Sequence, residues 1–171
     1  HNILLSNTHN WSAKHVHAGD NGRYGLLCFR QCYGGRLESV SVGAVPGVGI
    51  ALLGNSPLCT LADCHVEACT FGVVAEDVHL TGGWVDNCGE AHVVISGDHP
   101  SVVAEGVAFG SEGAAVNRGL VLANAENAVF TGCAFGVLTS PVPAVEFVGS
   151  SAGVFLGPRF GMHPSAEAVL K

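Results

Sequence analysis

An internal repeat of about 24 residues runs through most of the chain and restricts its fold more than any other feature. Each copy begins with an apolar residue, continues with two or three small or polar residues, and closes on Val or Phe, as in 37–43 and 129–136. The closing residues are Val16, Val42, Val66, Val85, Phe109, Phe135 and Phe160, with separations of 26, 24, 19, 24, 26 and 25 residues. A period of this length predicts a solenoid of stacked coils.

A second apolar segment follows each copy, and a third apolar patch, usually after a polar corner, precedes the next copy. Three short strands in each repeat predict an all-β, right-handed parallel β-helix of about seven coils, stacked about 4.8 Å apart. Val, Ile, Leu, Phe and Cys are expected to fill its interior. Leucine-rich repeats need a fixed Asn and a regular Leu ladder, which these copies lack. An antiparallel β-sandwich would not explain why three classes of strand recur in the same order.

The whole chain, 1–171, is expected to form a single β-helix domain. Its first coil, 1–36, is expected to be irregular, and the regular coils to span 37–160, with 161–171 as an end or a link to a further segment. Because the sequence begins with His1 rather than Met, a leader or an N-terminal domain is expected upstream.

The charge of the chain argues against a nucleic-acid partner. The formal net charge is −7 and the seven Lys and Arg residues are scattered, whereas phosphate binding needs clustered cations. No apolar run reaches the roughly 18 to 20 residues of a membrane span, so no membrane insertion is expected, and no export signal is visible. Charged residues make up 12% of the chain, about half the usual share, so part of the surface is expected to be covered.

The seven cysteines do not follow a metal-binding or redox pattern. They lack CxxC and zinc-finger spacing and mostly lie in apolar runs, so we expect reduced, structural thiols in a protein that folds in a cytoplasm. No cofactor and no metal are implied, because the sequence has no phosphate-binding loop before a helix, no GxSxG elbow and no Cys–His nucleophile arrangement.

The repeats of 11–160 resemble the pectin-lyase-like superfamily of parallel β-helices, and within it the β-helical parts of bacteriophage tail spikes and tail fibres. The resemblance implies a homotrimer that binds or cleaves host cell-surface polysaccharide, is made in the host cytoplasm and is assembled with other tail proteins into the virion. The superfamily also contains secreted polysaccharide lyases, hydrolases and epimerases. The closely spaced Asp pairs of polygalacturonases and the Asp-Pro-His of epimerases are absent from this sequence.

Two functions therefore stay open. The first is a structural, host-glycan-facing module of a phage tail spike or fibre; the alternative is a polysaccharide-degrading enzyme, a lyase or glycoside hydrolase, from a phage or secreted by a bacterium. The apparent lack of an export signal, the reduced cysteines and the low charge favour the phage module.

The residues beside the closing column are expected to point outward, because side chains alternate along a strand. The outward column before it reads His15, Ser41, His65, Trp84, Ala108, Ala134 and Arg159, and the column after it reads His17, Gly43, Glu67, Asp86, Gly110, Gly136 and Gly161. The many small residues would let neighbouring β-helices approach closely, or would simply give a smooth solenoid.

One place in these columns has the character of a sugar-binding site. Trp84 should stack beside His65 and Asp86 beside Glu67, with Asp63 on the same side. An aromatic ring packs on sugar C–H groups and carboxylates accept hydroxyl hydrogen bonds, so Trp84 and His65 are candidate substrate-binding residues. Glu67, Asp86 and Asp63 are the candidate catalytic residues, and a subunit contact surrounded by solvated acids is the alternative.

The other histidines are given no catalytic role. His9, His15 and His17 are expected to lie on a solvated edge rather than at a metal, and His92 and His99 to cap turns. The acids Glu76 and Asp77 fall at a corner, where solvation is expected.

Overall fold

A computed structural model describes residues 2–20, 22–54, 56–110, 118–136 and 144–160, and these fold into 21 short strands. The strands are β1 Ile3–Ser6, β2 Ser12–Lys14, β3 His17–Gly19, β4 Tyr24–Phe29, β5 Arg36–Glu38, β6 Ser41–Gly43, β7 Val48–Leu53, β8 Cys59–Ala62, β9 His65–Glu67, β10 Phe71–Ala75, β11 Asp77–Thr81, β12 Trp84–Asp86, β13 Ala91–Ile95, β14 Ser101–Glu105, β15 Ala108–Phe109, β16 Arg118–Ala123, β17 Asn127–Thr131, β18 Ala134–Phe135, β19 Val145–Val148, β20 Gly153–Leu156 and β21 Arg159–Phe160.

Every third strand joins the same sheet, so the strands form three seven-stranded parallel sheets. The first sheet is β1-β4-β7-β10-β13-β16-β19, the second is β2-β5-β8-β11-β14-β17-β20, and the third is β3-β6-β9-β12-β15-β18-β21. The prediction of an all-β parallel β-helix with three strands in each coil is confirmed. With seven strands in each sheet, the chain makes about six turns.

The closing residues of the repeat form one inward column on the third sheet. Val42, Val66, Val85, Phe109 and Phe135 pair in register and are each at most 4% exposed. Ser41, His65 and Ala108, which precede them on the strands, are only half-buried, as the alternation predicts. Phe160 continues the column by register, but its side chain lies outside the described residues.

The first coil departs from the predicted register by two residues. Ala18, not Val16, pairs with Val42 and is buried, so His17 rather than His15 begins the outward column. The reason is the corner before β3, where His15 takes a left-handed backbone (φ 53°) and its N–H donates to the carbonyl of Glu38. His15 is therefore a corner residue, and the prediction that placed it beside Ser41 was wrong.

The corner between the second and third sheets repeats this arrangement in every coil. The first residue of each corner has a positive φ, as does Gly83 after Gly82, and in the first six coils the N–H of that first residue donates to a carbonyl at the end of the second-sheet strand in the following coil. These corner residues are His15, Ser39, Asp63, Gly82, Gly106, Gly132 and Gly157. Because the bend is set by one backbone conformation, the coils stack with the same register from end to end.

All seven cysteines are buried and free. Burial raises the pKa of the Cys28 thiol above its usual range and the pKa of the Cys88 thiol to about 12. The expectation that these side chains act as small apolar core residues is confirmed by their burial. Across the described ranges, no helix has the length and apolar character that a membrane span requires.

Candidate functional site

Trp84 and His65 form a stacked aromatic pair on the outer face of the third sheet. They begin the neighbouring strands β12 and β9 and are directly paired, with ring centroids 3.5 Å apart and planes 11° from parallel. Val85 and Val66 follow them and point into the core. Trp84 is still 43% exposed, so the in-register stack presents an indole ring to solvent.

Glu67 and Asp86 lie at the ends of the same two strands and are also directly paired. Glu67 is exposed and Asp86 is half-buried. An Asp86 carboxylate oxygen accepts the N–H of Asn87 at 2.6 Å, where the backbone enters the left-handed region. The structure thus pairs the backbones of the two acids beside the aromatic pair, with the Asp86 carboxylate at the corner and the Glu67 side chain over Gly43 of the preceding coil.

Asp63 lies away from these two acids. It is the corner residue before β9, with φ 50°, whereas Glu67 ends that strand, so the two lie at opposite edges of the sheet. The Asp63 side chain lies over Gly82, whose Cα carries no Cβ to meet the carboxylate oxygen. Its catalytic assignment stays a prediction, but its position suits a corner role.

The outward column beyond Trp84 is nearly bare. Ala108 and Ala134 follow it in register, and Arg159 is the next long side chain. Gly110 and Gly136 follow the two intervening strands, β15 and β18, and their N–H groups donate to carbonyls of the preceding coil. His65 covers one face of the Trp84 ring, and on the other side the paired residue of the next strand is Ala108, whose side chain is a methyl group.

His92 is a polar residue that the sequence reasoning placed wrongly. It lies within β13 and is 1% exposed, and among the described residues neither of its ring nitrogens has a hydrogen-bond partner, so it does not cap a turn. Burial lowers its pKa, and the nearby Asp86 opposes that shift. Glycine occupies the same place in four other coils, at Gly25, Gly49, Gly72 and Gly119, a contrast that a column-by-column alignment of the repeats would have revealed.

The acids at the corner of the first and second sheets have structural roles that sequence reasoning also missed. A Glu76 carboxylate oxygen accepts the N–H groups of Asp98 and His99, each at 3.0 Å. Asp77 accepts the hydroxyl of Ser101 at 2.6 Å. These carboxylates therefore tie one coil to the next, where solvation alone was expected.

The N-terminal histidines do not converge. His9 makes an edge-on ring contact with Tyr33 at 5.1 Å, His15 lies at its corner, and His17 lies on the third sheet. In the part of the chain that the structure describes, no group of three or more His, Cys, Asp or Glu residues is arranged to hold a metal ion.

Comparison with known proteins gives no family for this chain. The sequence matches no model of a protein family, and a search of curated proteins finds no similar sequence. A fold by itself does not determine function, so function has to be argued from the side chains of a site. In this chain those side chains lie on the outer face of the third sheet.

Proposed function

We propose that this chain is a glycan-binding β-helical module whose contact surface is the outer face of the third sheet. The observation that carries the proposal is the exposed Trp84 ring, held parallel to His65 at 3.5 Å beside two carboxylates. Aromatic rings have an apolar face that packs against sugar C–H groups, and ionised carboxylates accept hydrogen bonds from sugar hydroxyls.

The stack also prepares Trp84 for binding. An exposed indole ordinarily loses rotamer freedom when a ligand packs against it, and that loss opposes binding. Here the His65 ring already restrains the indole on one side, so less ordering remains for the ligand to impose. The pairing of β9 with β12 already holds His65 and Trp84 side by side, so the solenoid need not rearrange to form the site.

The proposed setting is a homotrimeric shaft of a bacteriophage tail spike or tail fibre. The protein would be made in the host cytoplasm, assembled with other tail proteins into the virion, and turned toward host cell-surface polysaccharide. The parallel β-helix, the low charge and the exposed apolar side chains Val103, Val154 and Leu156 support this setting, since monomers rarely leave much apolar surface uncovered.

A second candidate function is polysaccharide cleavage, which the pairing of Glu67 with Asp86 favours. Paired parallel strands lie about 4.8 Å apart, so two outward carboxyl groups can be separated by roughly 5 to 8 Å, within the ranges for retaining and inverting glycosidases. One acid would protonate the leaving oxygen while the other acts as a base or nucleophile. Glu67→Gln and Asp86→Asn test this function by release of reducing ends from polysaccharide, and unchanged release in both variants contradicts it.

The glycan proposal is tested with a glycan array and the variant Trp84→Ala. Stacking energies of about 1 to 1.5 kcal/mol correspond to roughly five- to twelvefold in affinity, so we expect a loss of about that size for any glycan that the unaltered protein binds. Phe29→Ala is the matched control, because Phe29 is an exposed aromatic residue on the first sheet. No glycan bound by the unaltered protein, or equal loss in both variants, would contradict the proposal.

A further inference from the structure

A group of three thiols lies at the corner between the first and second sheets, away from the outer face of the third sheet. Cys28 belongs to β4, Cys32 lies in the corner that follows, and Cys59 begins β8 in the next coil. The Cys28 and Cys32 thiols are in hydrogen-bond contact, and the Cys59 thiol donates to the Cys32 carbonyl at 3.5 Å. Cys32 therefore sits between two other thiols.

Cys32 differs in its chemistry from the other six cysteines. Burial raises the pKa of the thiols of Cys28, Cys59, Cys64, Cys69, Cys88 and Cys133. Burial also opposes ionisation of Cys32, but hydrogen bonds with the Thr8 hydroxyl, 3.4 Å from the sulfur, and with backbone groups outweigh it, so the pKa of Cys32 is lowered. Because the thiolate is the nucleophilic form, Cys32 is the reactive member of the group.

The corner that covers Cys32 offers a route for a reagent. Cys32 itself is fully buried, but Phe29, Arg30 and Gln31, which precede it, are exposed. Arg30 and Gln31 both have a left-handed backbone, with φ 56° and 53°, which is strained for residues that carry a Cβ. An exposed and strained corner opens more readily than the paired strands on either side of it, and its opening brings the Cys32 sulfur to solvent.

We propose that Cys32 and Cys28 form a thiol–disulfide switch that is oxidised by a small disulfide such as oxidised glutathione. In the first step the Cys32 thiolate attacks one sulfur of oxidised glutathione, the glutathione S–S bond breaks, and one glutathione leaves as a thiolate. In the second step Cys28 gives up its proton and attacks the Cys32 sulfur, and the second glutathione leaves as a thiolate. The two cysteines lose two electrons and two protons, and oxidised glutathione gains them as two glutathione thiols.

The internal disulfide acts at a place where three coils meet. The Gln31 N–H donates to the Gly54 carbonyl of the following coil at 3.0 Å, and the Arg30 carbonyl accepts the Asn7 N–H of the preceding coil at 2.9 Å. A covalent bond across 28–32 spans the corner that carries both hydrogen bonds and restricts its opening. Oxidation therefore changes how firmly these coils are held together at that corner.

The test titrates the full chain with mixtures of reduced and oxidised glutathione, blocks free thiols by alkylation and maps the disulfides by mass spectrometry. We expect one internal disulfide, Cys28–Cys32, and a reaction at Cys32 at least tenfold faster than at any other thiol at pH 7. The rate at Cys32 should begin to rise at a lower pH than the rate of free cysteine. Hydrogen exchange of the Gln31 N–H should slow at least fivefold on oxidation and recover on reduction.

Variants separate the roles of the two thiols. Cys28→Ala removes the resolving thiol, so the mixed disulfide of Cys32 with glutathione should accumulate, and Cys32→Ser should form neither product. Cys133→Ala is the matched control, because Cys133 is a buried free thiol in a later coil, and it should leave the switch unchanged. Circular dichroism checks that each variant keeps the fold, and the mapping of the unaltered protein does not depend on any variant.

Three results would overturn the switch. They are a disulfide between Cys32 and Cys59 in place of Cys28–Cys32, a faster reaction at any other thiol, and a chain that stays fully reduced in excess oxidised glutathione.

Discussion

The N-terminal coils (2–67) and the C-terminal coils (101–160) share one strand register but are built from different side chains. Inside the second sheet, the column Ala13, Leu37, Leu61 continues as Ala104, Phe130, Phe155. On the outside, Glu38 forms ion pairs with Lys14 at 2.7 Å and Arg36 at 3.4 Å, whereas the C-terminal coils expose Val103, Val154 and Leu156. The corner uses Ser39 and Asp63 in the first region and glycine in the second.

This contrast shows which properties of the chain belong to the fold and which to individual coils. Hydrogen bonds between coils depend on the backbone and repeat throughout, while interior volume, surface polarity and corner chemistry change from coil to coil. In a solenoid each coil contacts only its neighbours, so such changes act locally. A binding surface, such as the one proposed at Trp84, can therefore be confined to two or three coils without altering the rest.

The largest expected effect comes from the aromatic interior of the C-terminal coils. Phe130 is 1% exposed and stacks on Phe155 with centroids 4.8 Å apart, so Phe130→Ala should lower the free energy of unfolding by about 3 to 5 kcal/mol. Leu61→Ala, in the same column, should cost about 2 to 4 kcal/mol. Hydrogen exchange should show lost protection around each altered coil only, and loss throughout the chain in both variants would contradict local action.

A smaller effect is expected at the apolar outer face of the C-terminal coils. If this face joins the subunits of a trimer, the double variant Val154→Glu and Leu156→Glu should weaken assembly by about 100-fold, which corresponds to about 2.7 kcal/mol. Thr60→Glu is the matched control, since Thr60 shares the outward column of Val154 but lies in the N-terminal coils. Sedimentation velocity gives the readout, and a monomer in the unaltered protein at micromolar concentration removes the trimer proposal.

A third difference between coils is His92, where other coils have glycine, and it predicts a pH dependence of stability. Burial lowers the folded-state pKa, and Asp86, the charged group acting on the ring, offsets only part of that shift. The unfolded chain therefore takes up a proton first, near its ordinary pKa of about 6.5, so stability is full above that pH and falls as the pH drops. Urea midpoints at pH 7.5 and 5.5 should differ less in His92→Gly than in the unaltered protein.

The exposed His99 provides the control for this measurement. His99→Gln should keep the full pH dependence, because His99 lies in an exposed corner. A His92→Gly variant with the same pH dependence as the unaltered protein would show that the pKa of His92 is the same in the folded and unfolded states, which contradicts the prediction.

The sequence predicted those parts of the structure that depend on alternation and repeat length. The column from Val42 to Phe135 and the pairing of Trp84 with His65 follow from period and register alone. The predicted register of the first coil was wrong by two residues because the left-handed corner at His15 moves the start of β3 to His17. Nothing in the residue type signals that bend. His92 was missed because its burial depends on the glycine column in neighbouring coils rather than on its own sequence context.

The smallest effect is expected at the corner of the second and third sheets. Ser39 has φ 53°, a conformation that costs a non-glycine residue about 1 to 2 kcal/mol. Glycine relieves that strain, but its unfolded state is more flexible, which offsets about 0.5 to 1 kcal/mol of the gain. Ser39→Gly should therefore stabilise the protein by about 0.5 kcal/mol.

Two further variants sharpen this comparison. Gly132→Ala, at the equivalent corner with φ 61° and open space around its Cα, should destabilise the protein by about 1 kcal/mol. Ser12→Gly on the exposed strand β2 is the control and should destabilise, because there the backbone is extended and only the entropy loss remains. Chemical denaturation measures all three, and a loss of stability in Ser39→Gly equal to that in Ser12→Gly would show that the corner stores no strain.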